Sequence, residues 1–260
     1  MEYLIFQANP LLFAALLFVV MALSIEAPYK LLNVPDVDRR RVDAFNVVQA
    51  GLLTLTSFVI GLSFAQASGR FDLRRELVVK EANAIGTTWL RAAALPSRES
   101  AEFRRVLTAY SSARLTAYQT PNNPNLKDST LAQSDDDQGE MWKIALGALR
   151  KSPSNLGYSL LAQSLNDTID VSAEQLQALT THVPTAVLVL TVLLVIVTAL
   201  SLGLRFGLNK SRPPGLTIAF LVAYVLVVNM MIDYDRPQTG WVKVNLNPLR
   251  VQLETMEQPR

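Results

Sequence analysis

Four stretches of the chain carry no charged residue: 3–25, 44–69, 183–204 and 213–232. Each holds 20 residues or more, and a hydrocarbon core of ~30 Å needs ~20 helical residues to cross it. All four are therefore expected to span a bilayer as helices. The third, "PTAVLVLTVLLVIVTALSLG", is the most uniformly apolar, with Pro184 suited to a first helical turn. The fourth follows "SRPPG", a short turn that makes spans three and four a tight hairpin. The first is the most interrupted, by Gln7, Asn9 and Pro10.

Between the span pairs the pattern changes. Residues 70–182 hold 13 Lys and Arg and 13 Asp and Glu, and read as a helical extramembrane domain. At ~100° per residue, Leu73, Leu77, Val78, Ala84, Ile85, Trp89 and Ala92 share one face of a helix that continues span two. A second helix opens at Pro96-Ser97, with the stripe Phe103, Val106, Leu107, Tyr110, Ala113 and Ala117. "PNNPNLKDSTLAQSDDDQG" (121–139) reads as a loop from its Pro, Asn and Asp content. Helices near 139–151 and 154–182 lead into span three, and no strand alternation is present. The expected class is an all-α membrane protein of four transmembrane helices and a central helical domain. Its segments are 1–69, 70–182, 183–235 and a C-terminal tail, 236–260. Trp89, Phe103 and Tyr110 exceed what a lone helical hairpin buries, so this domain is expected to pack subunit against subunit.

Composition narrows the chemistry. Half of the 260 residues are hydrophobic and 18% are charged, with a net charge of +2. That balance suits a membrane protein and lacks the basic face nucleic acid would call for. There is no cysteine, which removes disulfides, thiolate metal sites and a cysteine nucleophile. A single histidine, His182, rules out a histidine metal cluster within one chain. No phosphate-binding loop, nucleophile elbow, zinc motif or Gly-rich dinucleotide turn occurs, so neither an enzyme nor a cofactor is expected. The N-terminus "MEYLIFQANP" has no basic region and no small-residue cleavage site, and is expected to be a retained helix. Lys and Arg near the span ends divide seven against seven between the two sides, so charge does not orient the chain.

Span two carries the most polar groups: Asn46, Gln49, Thr54, Thr56, Ser57, Ser63 and Gln66. Polar groups in a bilayer face protein or water. Two readings stand: a helix lining water, or ordinary polar helix packing. Thr54, Phe58 and Leu62 are spaced i, i+4, i+8 and stack along one stripe. Gly51 and Gly61 allow neighbouring helices to approach closely. Beyond the membrane, Glu81 lies near the centre of the apolar stripe, with Arg70 and Arg74 near it in angle. Arg74 is seven residues away, ~10 Å along the axis, too far for a direct pair. Either an Arg from another helix or subunit meets Glu81, or Glu81 sits on a wider polar face.

"FVIG" (58–61), with the Arg70-Phe71 pair nine residues after Gly61, resembles the pore helix of bestrophins. The longer run "GLLTLTSFVIGLSFAQASGRFDLRRELVVKEANAIGTTWLRAAALP" closely resembles the signature of bacterial bestrophin-like domain proteins. The resemblance is strong over 46–96 and covers the whole chain in layout. It implies a homo-oligomer, a pentamer as in bestrophins, that passes small inorganic anions across the lipid bilayer. It also implies residence in the bacterial inner membrane, with the central domain and both termini in the cytoplasm. By position, the hydrophobic neck falls on Thr54, Phe58 and Leu62. The chain departs from the pattern at Thr54, where a larger apolar residue is usual, and at Phe71-Asp72, where paired aromatics are usual. Animal bestrophins bind calcium through an acidic cluster, but "SDDDQGE" (134–140) lacks EF-hand spacing and reads as solvated loop. Arg39, Arg40 and Arg41 would lie outside, either as a basic mouth or as a solvated loop balanced by Asp36, Asp38 and Asp43. The alternative to a channel is a non-conducting membrane scaffold or sensor.

Overall fold

The computed structural model describes residues 9–31, 39–236 and 238–258. Residues 3–8 of the first span, Asp36, Asp38 and the side chains of Arg39, Arg40 and Arg41 lie outside the described residues. The described residues form helices and turns with no strand. Four helices are long and apolar enough to cross a membrane.

Helix α1 covers Pro10–Leu31. Asn9 and Pro10, which look like interruptions in the sequence, start this helix. The Asn9 side chain accepts from the Leu11 N–H at 2.9 Å, and Pro10 takes the position where no N–H is needed. Helix α2 runs unbroken over Arg39–Arg91, 53 residues. A 3-10 turn, Ala92–Ala94, closes it. Pro96 then forces Leu95 out of helical geometry, with ψ at 155°. Helices α3 (Ser97–Gln119), α4 (Pro124–Lys151) and α5 (Leu156–Thr180) follow. Helices α6 (Thr185–Asn209) and α7 (Pro214–Asp235) form the predicted hairpin, turned by Lys210 at φ 45°. Helix α8 covers Asn247–Glu257.

Helix α4 corrects the expectation of a loop over 121–139. Asn123 caps it by accepting from the Leu126 N–H, and Pro124 opens its first turn. Its inward positions are Ser134, Asp137, Met141, Ala145 and Ala148, spaced three and four apart. The first two are polar, so the buried face does not read as apolar. Asp137 is buried and accepts from Gln133 Nε2 at 2.9 Å, so the acidic run is helical, with one member turned inward.

Backbone contacts divide the chain into two compact units: Met1–Arg70 with His182–Arg236, and Phe71–Thr181 with Pro237–Arg260. In the first, Leu17, Met21 and Ile25 of α1 pack with Leu188 and Val195 of α6 and Val228 of α7. Gly203 sits where α6 meets α1, and a Cβ there would collide with the Ile25 carbonyl. In the second, the expected α3 stripe is wholly buried, with Phe103 and Tyr110 fully enclosed. They are covered within one chain, by α2, α4, α5 and α8. Burying them therefore does not require a second subunit, as the sequence had suggested. Leu73, expected on the inner face, is exposed. The 236–260 segment is no free tail, since Leu249 and Met256 of α8 join this core and Gln252 lies against Gly86.

Candidate functional site

Within the first unit, α2 is covered on one side only. Gln49, Thr56, Ile60, Ser63 and Ala67 are buried. Three of them recur every seven residues, and so do Thr191, Thr198 and Arg205 on α6. The two series meet in antiparallel order. Arg205 Nη1 donates to Gln49 Oε1 at 3.4 Å, the Thr56 and Thr198 hydroxyls lie 2.8 Å apart, and Ser63 Oγ lies 3.1 Å from Thr191 Oγ1. Thr56, Ser63 and Thr191 also return a hydrogen bond to the carbonyl four residues back. This is polar packing between spanning helices. It absorbs part of the polar content that sequence alone left open between packing and pore. The shared spacing of seven was the signal that could have sorted it.

Thr54, Phe58 and Leu62 stand on the opposite side, roughly 180° round the helix by ~100° per residue. Phe58 is 62% exposed and Leu62 51%, and the Thr54 hydroxyl satisfies itself on the Ala50 carbonyl at 2.9 Å. Gly51, Gly61 and Gln66 are exposed with them. The same helix also exposes Val47, Val48 and Leu55. α1 exposes Leu11, Leu12, Leu16 and Leu23, and α7 exposes Leu216, Ile218, Val222 and Leu226. The open side of α2 thus carries polar and aromatic residues among its aliphatics, whereas α7 beyond Pro214 exposes aliphatic and small residues.

In the second unit, Glu81 is fully buried and has its arginine. Arg114 Nε on α3 donates to Glu81 Oε1 at 2.7 Å. The Tyr118 hydroxyl donates to Glu81 Oε2 at 3.0 Å and accepts from Arg114 Nη2. Arg114 Nη2 also reaches the Ser172 carbonyl at 3.2 Å. Burial alone would push the Arg114 pKa down, but the Glu81 carboxylate holds it above its ordinary value. Burial first, and Glu81 second, push the Tyr110 phenol up to about 12. Arg74, near Glu81 in angle, serves a different purpose. Its Nε and Nη2 donate to the carbonyls of Ala178 (2.9 Å) and Thr181 (2.8 Å), binding the end of α5. Arg70 makes no hydrogen bond or ion pair among the described residues. The three charges grouped by sequence are therefore not one cluster, and the partner that sequence could not name is Arg114. No group of His, Cys, Asp or Glu among the described residues could hold a metal ion.

The chain resembles solved structures over nearly its full length. A crystal structure of a bacterial bestrophin homologue from Klebsiella pneumoniae superposes with a TM-score of 0.63 at 17% identity, covering 96% of this chain and 96% of that one. A point variant of a Klebsiella pneumoniae bestrophin homologue gives 0.67 at 18%, over 96% and 100%. A third, described as a membrane protein, gives 0.66 at 18%, over 97% and 100%. Identities this low establish a shared fold. Comparison with curated proteins gives no match. The family model for the bestrophin-like domain matches residues 16–249. With that match over most of its length, and four helices able to span a membrane, the chain belongs to the bestrophin-like domain family of membrane proteins.

Proposed function

We propose that this protein is an oligomeric membrane channel, a pentamer in the bestrophin manner, with a pore lined by α2 and a neck at Thr54, Phe58 and Leu62. The observation that carries the reading is the one-sided packing of α2. Its polar ladder faces α6, while the stripe that bears Phe58 and Leu62 stays open. A spanning helix that turns Thr54, Gln66 and glycines away from its own bundle calls for water or another subunit on that side. Small inorganic anions as the permeant class, the bacterial inner membrane, and a cytoplasmic 70–182 region follow from the bestrophin resemblance. Five copies of Phe58 would form an apolar ring narrow enough to exclude water. Gly61, one turn on, lacks a Cβ and would ease rotation of that ring.

The test is Phe58→Ala in liposomes loaded with an anion-sensitive dye. Flux is expected to rise with the oligomer intact. Thermal stability is expected to change little, because a side chain this exposed leaves no closed cavity. Flux at background for both the parent protein and the variant would leave the non-conducting scaffold or sensor as the better reading.

A further inference from the structure

Helix α2 does not stop where its uncharged span does. Past Gly69, the last residue of that span, it continues without a break to Arg91. At ~100° per residue, the line through Thr54, Phe58 and Leu62 is carried on by Asp72, Glu76, Lys80, Asn83 and Thr87, all within roughly 40° of Phe58. All five are exposed. The arginines of the same stretch point elsewhere. Arg70 and Arg74 lie roughly 120° and 160° from Phe58, and Arg75 lies roughly 100° away on the other side. The charges on the line are therefore two carboxylates and one ammonium per chain. We propose that Asp72 is a charge-selecting residue of the pore, one carboxylate of a ring just outside the span that draws in cations and holds back anions. The proposal rests on the pore reading above and adds to it a residue that weights the sign of the ion.

Glu76 and Lys80 cancel one another, because Lys80 Nζ lies 2.9 Å from Glu76 Oε1. Asp72 makes no ion pair among the described residues, so the line keeps one uncompensated negative charge per chain. It stands three residues past Gly69, about 5 Å along the axis, where the low-dielectric slab beside it focuses the field. A ring of like charge at a pore mouth raises the local concentration of counter-ions and lowers that of co-ions. It acts without touching the ion, so its strength follows the screening length, ~30 Å at 0.01 M salt and ~3 Å at 1 M. Anions, the class implied by kinship with bestrophins, pass this mouth against the ring. Kinship does not supply the carboxylate itself, since paired aromatics are usual where this chain has Phe71-Asp72.

The test is the reversal potential of the full-length protein in planar bilayers under a potassium chloride gradient, which gives the potassium-to-chloride permeability ratio. Asp72→Asn is expected to move the reversal potential towards that of chloride. The ratio should fall severalfold at low salt and little at high salt. Asp72→Glu keeps the charge and should keep the parent value. Arg70→Gln removes a charge at nearly the same height but off the line, and should leave the ratio unchanged. Current from Asp72→Asn with the parent's reversal potential would overturn the ring and leave the pore standing. An equal and opposite shift in Arg70→Gln would also overturn it, since diffuse surface charge would then account for both. Should Asp72→Asn fail to assemble, the parent decides: a permeability ratio that does not fall as salt rises would overturn the ring. No current from the parent would overturn the pore reading itself, and the ring with it.

Discussion

A Cβ at Gly203 would collide with the Ile25 carbonyl, whereas one at Gly61 would meet nothing within 4 Å. Both glycines are helical, so alanine brings a propensity gain of up to ~1 kcal/mol at either site. At Gly203 that gain is overwhelmed, because backbone cannot move aside as a flexible side chain can. Gly203→Ala should cost about 1–3 kcal/mol, and Gly61→Ala should be neutral or slightly stabilising in the separated chain. Thermal unfolding in detergent measures both. The buried tyrosine gives a pH prediction. Tyr110 titrates near ~10 when unfolded and about 12 when folded. Below the lower value both states hold the proton and stability is unaffected. Between the two, the unfolded state has lost its proton and the folded state keeps it, so stability falls as pH rises. The loss approaches about 2–3 kcal/mol by the upper value. Tyr110→Phe should remove that share of the alkaline decline, seen by comparing melting curves of the two proteins across this window.

Helix α2 is one element in the chain but faces different surroundings along its length. In the spanning unit its polar contacts to α6 are hydroxyls and an amide; in the second unit it buries apolar residues, encloses one ion pair with α3, and hydrogen-bonds α5 through Arg74 and Thr88. The Thr56–Thr198 contact should show a coupling of about 0.6 kcal/mol in a double-mutant cycle of Thr56→Val and Thr198→Val. Zero coupling would mean that Thr56 is satisfied by the Leu52 carbonyl alone. Helix α4 explains why its first half was illegible in the sequence. A periodic apolar stripe marks a helix only when the buried side is apolar, and Ser134 and Asp137 take those places. Helix α3 was fully legible for the converse reason, since Phe103, Val106, Leu107 and Tyr110 all face inward.

For the whole molecule, the open prediction is orientation. Seven basic residues on each side cancel, so the expected cytoplasmic placement of 70–182 rests on kinship with bestrophins. A reporter fused after Arg260 should be active in the cytoplasm and silent in the periplasm; the reverse would invert the topology. Mass in mild detergent should exceed that of one 28.7 kDa chain severalfold.

Four spans, an all-helical fold and kinship with bestrophins were readable from the residues alone, because length without charge and helical periodicity are local properties. The α2 stripe of Thr54, Phe58 and Leu62 was readable in the same way, as a spacing. Three things required the folded chain. The polar groups of α2 had to be divided between α6 and the open side, which depends on a helix more than 100 positions away in the chain. The partner of Glu81 had to be chosen from many arginines, and Arg114 holds that place because α3 packs against α2. The last segment had to be recognised as core, since Leu249 and Met256 are ordinary residues until a groove exists to receive them. Each is a contact between distant parts of the chain, and no local pattern encodes which distant surface a side chain will meet.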